Sequence, residues 1–153
     1  MRTRGFEVVR DDCRQFPDVQ ITLPKRADVH SAGYDFYCPK EITLQPMQKT
    51  FFFSDVKAYM QPDEVLEIYI RSSLGIKKGL MIPNNVGIID SSYYNNPDND
   101  GNIGIALVNT SNKTVTIKAG ERIMQGIFKK YLVADNDNVL TSKRTGGIGS
   151  SGE

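Results

Sequence analysis

The chain has 153 residues, one domain's worth, with 39% hydrophobic and 24% charged residues, which excludes disorder and collagen-like structure. Nineteen Lys and Arg against 18 Asp and Glu leave a formal net charge of +1, too balanced for a general nucleic-acid binder with a basic surface. No apolar run approaches the ~20 residues of a membrane span, and Met1-Arg2-Thr3-Arg4-Gly5-Phe6 has no apolar run behind it, so neither a membrane helix nor a signal peptide is expected. Cys13 and Cys38 are the only thiols and His30 the only imidazole. Without CxxC or HxxxH spacing a closed zinc site is not expected, and without a GxSxG elbow His30 makes no Ser-His-Asp case. The cysteines read as reduced thiols of a cytoplasmic protein, and His30 as a surface loop residue.

In chain order, Tyr34-Asp35-Phe36 reads as the start of a strand. Phe51-Phe52-Phe53 is the strongest apolar stretch and stops at Ser54-Asp55. In Val65–Arg71, apolar Leu66, Ile68 and Ile70 alternate with Glu67, Tyr69 and Arg71, the period of a half-buried strand. One or two helical turns are expected around Ser72 to Lys78. An apolar run then ends at Asp90. Ile103, Ile105 and Leu107 alternate with Gly104 and Ala106, and Val115 and Ile117 with Thr114, Thr116 and Lys118. Short strands broken at short intervals by Gly, Pro and Asn-Asp clusters predict an all-β sandwich or barrel with one short helix. Asp135-Asn136-Asp137-Asn138 reads as a solvated turn. The chain ends in Gly146–Glu153, with four glycines in eight residues, either a floppy tail or a flap whose backbone N–H groups close on an anion. The domain reading is a single unit over 1–153, with 142–153 as the flap.

Two motifs match on paper only. Gly147–Gly152 spells GxGxxG, but no βαβ unit follows it, and Glu153 stands where a phosphate-binding loop requires Lys. Asn96–Ile103 resembles the start of a calcium loop, but Leu107 stands where the bidentate Glu belongs, and strands are expected on both sides. The plain reading is a long polar hairpin loop.

Five segments carry chemistry that strand-building does not require. Ala32-Gly33-Tyr34-Asp35-Phe36 places one carboxylate between aromatics. Arg71-Ser72-Ser73-Leu74-Gly75 joins a guanidinium fork to two hydroxyls at a helix start, which suits phosphate oxygens; the alternative is an N-cap pair beside a surface Arg. Asn84–Tyr93 ends a buried strand on Asp90, a general-base candidate, unless that Asp merely caps its own turn. Ala119–Phe128 carries one amide, Gln125, among apolar neighbours. Arg144–Gly152 joins an Arg to the glycine flap.

In this order and at these separations, the five segments resemble the five signature motifs of the trimeric deoxyuridine triphosphatases (dUTPases), from about Leu23 to the C-terminus. The pattern is most similar to versions from low-GC Gram-positive bacteria and their phages. The resemblance implies a distorted jelly-roll β-barrel, a cytoplasmic homotrimer with shared sites, and hydrolysis of dUTP to dUMP and pyrophosphate, which keeps uracil out of DNA and supplies dUMP. By the same resemblance Asp90 activates the attacking water at the α-phosphorus. Asn84, Gly87 and Ile89 read uracil, and Tyr93 lies under the deoxyribose and excludes a 2′-OH. Arg71, Ser72, Ser73 and Gln125 contact phosphates. Arg144, Gly149 and Ser150 belong to the closing flap, with Ile148 covering the base. Asp35 lies near the waters of a Mg2+ carried by the triphosphate.

Three features depart from the family pattern. Ile148 replaces the usual Phe over uracil, so it covers the base but cannot stack. Ser92 replaces the second acid of the Asp-x-Asp-Tyr motif. Asn95 to Asp100 reads as an insertion without a catalytic role. Two rival functions share the fold. One is a dCTP deaminase, for which no deaminating Glu motif is found. The other is a nucleotide-gated regulator that binds a repressor protein, as some phage members of the family do.

Overall fold

The structure, a computed structural model, describes residues 1–139. Eleven strands run in chain order: β1 (Gly5–Val8), β2 (Tyr34–Tyr37), β3 (Ile42–Leu44), β4 (Lys49–Phe53), β5 (Val56–Tyr59), β6 (Glu64–Ile70), β7 (Leu80–Met81), β8 (Gly87–Asp90), β9 (Gly104–Asn109), β10 (Val115–Ile117) and β11 (Arg122–Lys130). They pair antiparallel throughout, as β1-β5, β10-β3, β2-β11-β6-β8 and β4-β9-β7. The all-β expectation therefore holds. The four sheets enclose one core, but among the described residues their hydrogen bonding does not close into a continuous barrel.

The alternating segments explain that core. Leu66, Ile68, Ile105, Leu107, Val115 and Ile117 are buried from three different strands, as the period of two requires. Phe36 and Met124 join them from β2 and β11. The expected helix is one wide turn over Ser73–Lys77, started where the Arg71 carbonyl accepts from the amides of both Leu74 and Gly75 at 3.0 Å.

Two features of the four-stranded sheet position the site. Asp35, Gln125 and Tyr69 share one row across β2, β11 and β6, so their side chains stand on one face. Asp90 pairs with Val65 instead, four residues along β6 from Tyr69 and on the other side of that strand. A rise of about 3.3 Å per residue and spacings of about 4.8 Å place Asp90 and Gln125 about 16 Å apart.

Candidate active site

The hairpin from Ile82 to Gly87 brings β8 back along β6. Asn85 turns it with φ +72° and donates its amide to the Ile82 carbonyl at 2.8 Å; Asn is among the few residues that adopt this backbone readily. Gly87 allows a close approach on entry to β8, where a Cβ would sit 3.0 Å from the Ile68 Cβ. Among the described strands β8 bonds to β6 alone, so its other backbone edge is left to face a ligand.

That edge forms one wall of a cleft of about 400 Å³. Asn84, Gly87, Ile89, Asp90 and Tyr93 all line it, so five of the sequence-selected residues come together. A single 3-10 turn, Ser91–Tyr93, follows Asp90 directly. With three residues per turn, this brings Asp90 and Tyr93 to the same side. The Asp90 side chain makes no capping hydrogen bond to that turn. Tyr93 is buried, and its hydroxyl donates to the Asn102 carbonyl at 2.6 Å and accepts from Asn99 Nδ2 at 2.8 Å. The opposite wall is apolar. Phe51 and Phe53 of β4 meet edge to face at 5.2 Å between ring centres, and Gly104 leaves room for the Phe51 ring. Among the described residues no Lys or Arg lines this cleft.

The remaining described candidates lie elsewhere on the chain. Gln125 packs over Gly33, where a Cβ would stand 2.3 Å from Gln125 Oε1. Asp35 is mostly buried, with its Oδ2 3.4 Å from Arg122 Nη1. A register shift in β11 between Arg122 and Met124 lets the Arg reach it. Arg71 is next in space, its amide donating to the Ile123 carbonyl at 3.2 Å, and Ser72 and Ser73 follow at the helical turn. These groups form a separate polar end with none of its members in the cleft. Among the described residues no three His, Cys, Asp or Glu side chains lie together as a metal site, there or elsewhere. Arg144, Ile148, Gly149 and Ser150, with the rest of the 142–153 flap, lie outside the described residues.

The polar stretch after Tyr93 is not the solvated loop its composition implies. Asn96, Asp100 and Asn102 are buried. Lys57 Nζ donates to Asp100 Oδ2 at 2.8 Å and Asn95 Oδ1 at 2.7 Å, and the Arg10 amide donates to Asp100 Oδ2 at 2.8 Å. Burial pushes the Asp100 carboxyl up, but these hydrogen bonds and the charges of Lys57 and Arg10 bring it below its ordinary value. Asn102 exchanges hydrogen bonds with buried Asp55, its Oδ1 accepting the Asp55 amide at 2.8 Å and its Nδ2 donating to Asp55 Oδ1 at 2.9 Å. The sequence gives no site role to Arg122 or Asn99, and Phe51 and Phe53 read there only as part of an apolar stretch. The four aromatic and polar groups acquire their places only through long-range pairing.

Comparison with known proteins shows the family and the fold. The dUTPase family model matches residues 19–152. A deoxyuridine 5'-triphosphate nucleotidohydrolase of Lactococcus lactis is 45% identical over 153 residues, 99% of each chain. The crystal structure of a dUTPase from Streptococcus mutans matches with a TM-score of 0.74 at 41% identity, over 86% of this chain and 98% of that one. The dUTPase of Staphylococcus bacteriophage 80alpha, described as controlling transfer of virulence genes, shares the fold with a TM-score of 0.69 at 20% identity, over 92% and 98% of the two chains.

Proposed function

The chain belongs to the dUTPase family and is a dUTP diphosphatase, and we propose that Asp90 is its general base and that each working site is assembled from more than one copy of the chain. The carrying observation is the cleft itself. It presents Asp90 to a nucleotide but has no lining Lys or Arg among the described residues. A triphosphate carries about four negative charges, and bringing it beside a carboxylate without cations is strongly unfavourable. The guanidinium and hydroxyl groups of Arg71, Ser72 and Ser73 lie at the other end of the sheet, with Gln125 and Asp35. A homotrimer with these ends in apposition supplies both halves, and Arg144, Gly149 and Ser150 of the tail complete the phosphate contacts while Ile148 covers the base.

In this reading the Asp90 carboxylate takes a proton from a water, whose oxygen bonds to the α-phosphorus. The bond from that phosphorus to the bridging oxygen of the β-phosphate breaks, and pyrophosphate leaves with the electron pair. The edge backbone of β8, with Asn84, Gly87 and Ile89, pairs with uracil. A base with its donors and acceptors reversed would leave buried groups unpaired, a mismatch that rejects wrong substrates by about 10⁴-fold or more. Tyr93 closes the floor under the deoxyribose. Asp35 would hold, through water, a Mg2+ brought in by the triphosphate, since a carboxylate ion-paired to Arg122 and outside any cluster of three ligating side chains among the described residues is too little to bind a resident ion directly. The ion supplies charge neutralisation on the phosphate oxygens. In the cytoplasm such a reaction keeps uracil out of DNA and yields dUMP. A nucleotide-gated contact with a repressor protein is the second reading, drawn from the gene-transfer control ascribed to the phage 80alpha protein; pull-down with and without a dUTP analogue tests it.

The decisive assay is pyrophosphate release from dUTP, dCTP, dTTP and UTP. Asp90→Asn is expected to bind a non-hydrolysable dUTP analogue normally and to lose about 10²–10⁴-fold in turnover. Retention of most turnover would refute the role of Asp90, and ammonia release from dCTP would indicate deamination instead.

A further inference from the structure

The insertion after Tyr93 ends in a built contact with the cleft. Asn99 is half-buried, lines the cleft, and donates its side-chain amide to the Tyr93 hydroxyl at 2.8 Å. Its own orientation is fixed from behind. Asn99 Oδ1 accepts the Gly101 amide at 3.0 Å, and its carbonyl accepts the Asn102 amide at 3.1 Å. With Oδ1 engaged by a donor, Nδ2 is the atom turned to Tyr93, and the Tyr93 proton is committed to the Asn102 carbonyl at 2.6 Å. The hydroxyl is thus held from two sides.

The segment that carries Asn99 is itself anchored. Lys57 ties Asn95 and Asp100 to β5, and Asp55 ties Asn102 to the turn between β4 and β5. Gly101 has φ +82°, and a Cβ there would stand 2.6 Å from the Tyr93 carbonyl, so this backbone path tolerates only glycine. A loop joined to the body through buried groups and to Tyr93 through one amide can fix the height and tilt of that ring.

We propose that Asn99 is a positioning residue for sugar discrimination, holding the Tyr93 ring where it excludes a ribose 2′-OH. The proposal rests on the reading of Tyr93 as the floor of the deoxyribose site. Loss of one neutral hydrogen bond corresponds to roughly a three- to tenfold effect. The test compares kcat/KM for dUTP and for UTP in Asn99→Ala, Asn99→Asp, Tyr93→Phe, Tyr93→Ala and the Asn99→Ala/Tyr93→Phe double variant.

Asn99→Ala is expected to lower the dUTP-to-UTP ratio about three- to tenfold. Asn99→Asp keeps the acceptor for Gly101, and so keeps the loop in place, but turns an acceptor toward a hydroxyl whose proton is already given away. It is expected to lower the ratio as well. With Phe at 93 the Asn99→Ala change should add less than about twofold, because residues that act through one contact are non-additive. Ratios within twofold of the native value in both Asn99 variants, with a collapsed ratio in Tyr93→Ala, would overturn the proposal alone. An intact ratio in Tyr93→Ala would overturn the reading of Tyr93 beneath it. Full additivity in the double variant would show that Asn99 acts other than through the hydroxyl, which also overturns the proposal.

Discussion

Replacement of Lys57 by Met tests the anchor of the loop that follows Tyr93. Met keeps an apolar stem of similar length but removes the ammonium that bonds Asp100 at 2.8 Å and Asn95 at 2.7 Å. Among the described residues Asp100 then keeps the Arg10 amide at 2.8 Å and an Arg10 guanidinium nitrogen at 3.9 Å. Breaking a fully buried pair costs about 3–5 kcal/mol, and the remaining Arg10 donors reduce this to about 2–3 kcal/mol. In a domain of this size each kcal/mol moves the melting temperature by ~2–4 °C, so a fall of ~5–10 °C is expected by calorimetry at pH 7. The pH dependence gives a second readout. The folded Asp100 carboxyl lies below its ordinary value, so its contribution is complete above the unfolded carboxylate range and is lost as pH falls through the lower folded value. The gap between native and Lys57→Met proteins should therefore be full at pH 7 and narrow toward pH 3. Lys57→Met/Asp100→Asn, which removes both charges, should recover part of the loss. A melting temperature within 1 °C of native at pH 7, or a gap that does not narrow in acid, would refute the reasoning.

Gly33→Ala should raise KM for dUTP several-fold with little change in melting temperature. The new Cβ displaces the flexible Gln125 side chain from its place at the polar end, whereas no backbone atom stands in its way. In the native protein a thiol reagent at pH 8 should modify Cys13 and spare Cys38 until unfolding. Burial pushes the Cys38 thiol up to about 11, while Cys13 is half-exposed; labelling followed by peptide mass analysis reads the result.

What was legible in the sequence was whatever repeats locally. The buried faces of β6, β9 and β10 followed from alternation alone, because each strand packs one face on the core and the other away from it. Asp90 and Tyr93 were legible as candidates, and their three-residue interval becomes a shared face through a 3-10 turn. β1 was not legible, since its four residues pair with β5 some 50 positions later and carry no long pattern. The loop after Tyr93 was misleading for a related reason. Its Asn and Asp residues look solvated, and only Lys57, Arg10 and Asp55, all remote in sequence, turn them into buried partners. The same limit hid how the candidate residues divide over the sheet. Five segments in order do not reveal that Asp90 and Gln125 stand on opposite sides of β6.

That division makes a direct test of site sharing possible. Asp90→Asn should inactivate a site through its cleft, and Arg71→Ala through its phosphate end. Mixed in equal amounts and allowed to exchange subunits, the two inactive proteins should recover activity if the two ends of a site come from different chains. A site then works when its cleft is from the Arg71→Ala protein and its phosphate end from the Asp90→Asn protein. Random assembly gives each condition a chance of one half, so about a quarter of native activity is expected from a closed symmetric oligomer with such shared sites. If one chain supplied both ends, every site would retain one defect and the mixture would stay inactive. Exchange is verified in the same sample by mass spectrometry of mixed oligomers. No recovery in fully exchanged material would therefore refute the shared site, while leaving the separate role of Asp90 to its own assay.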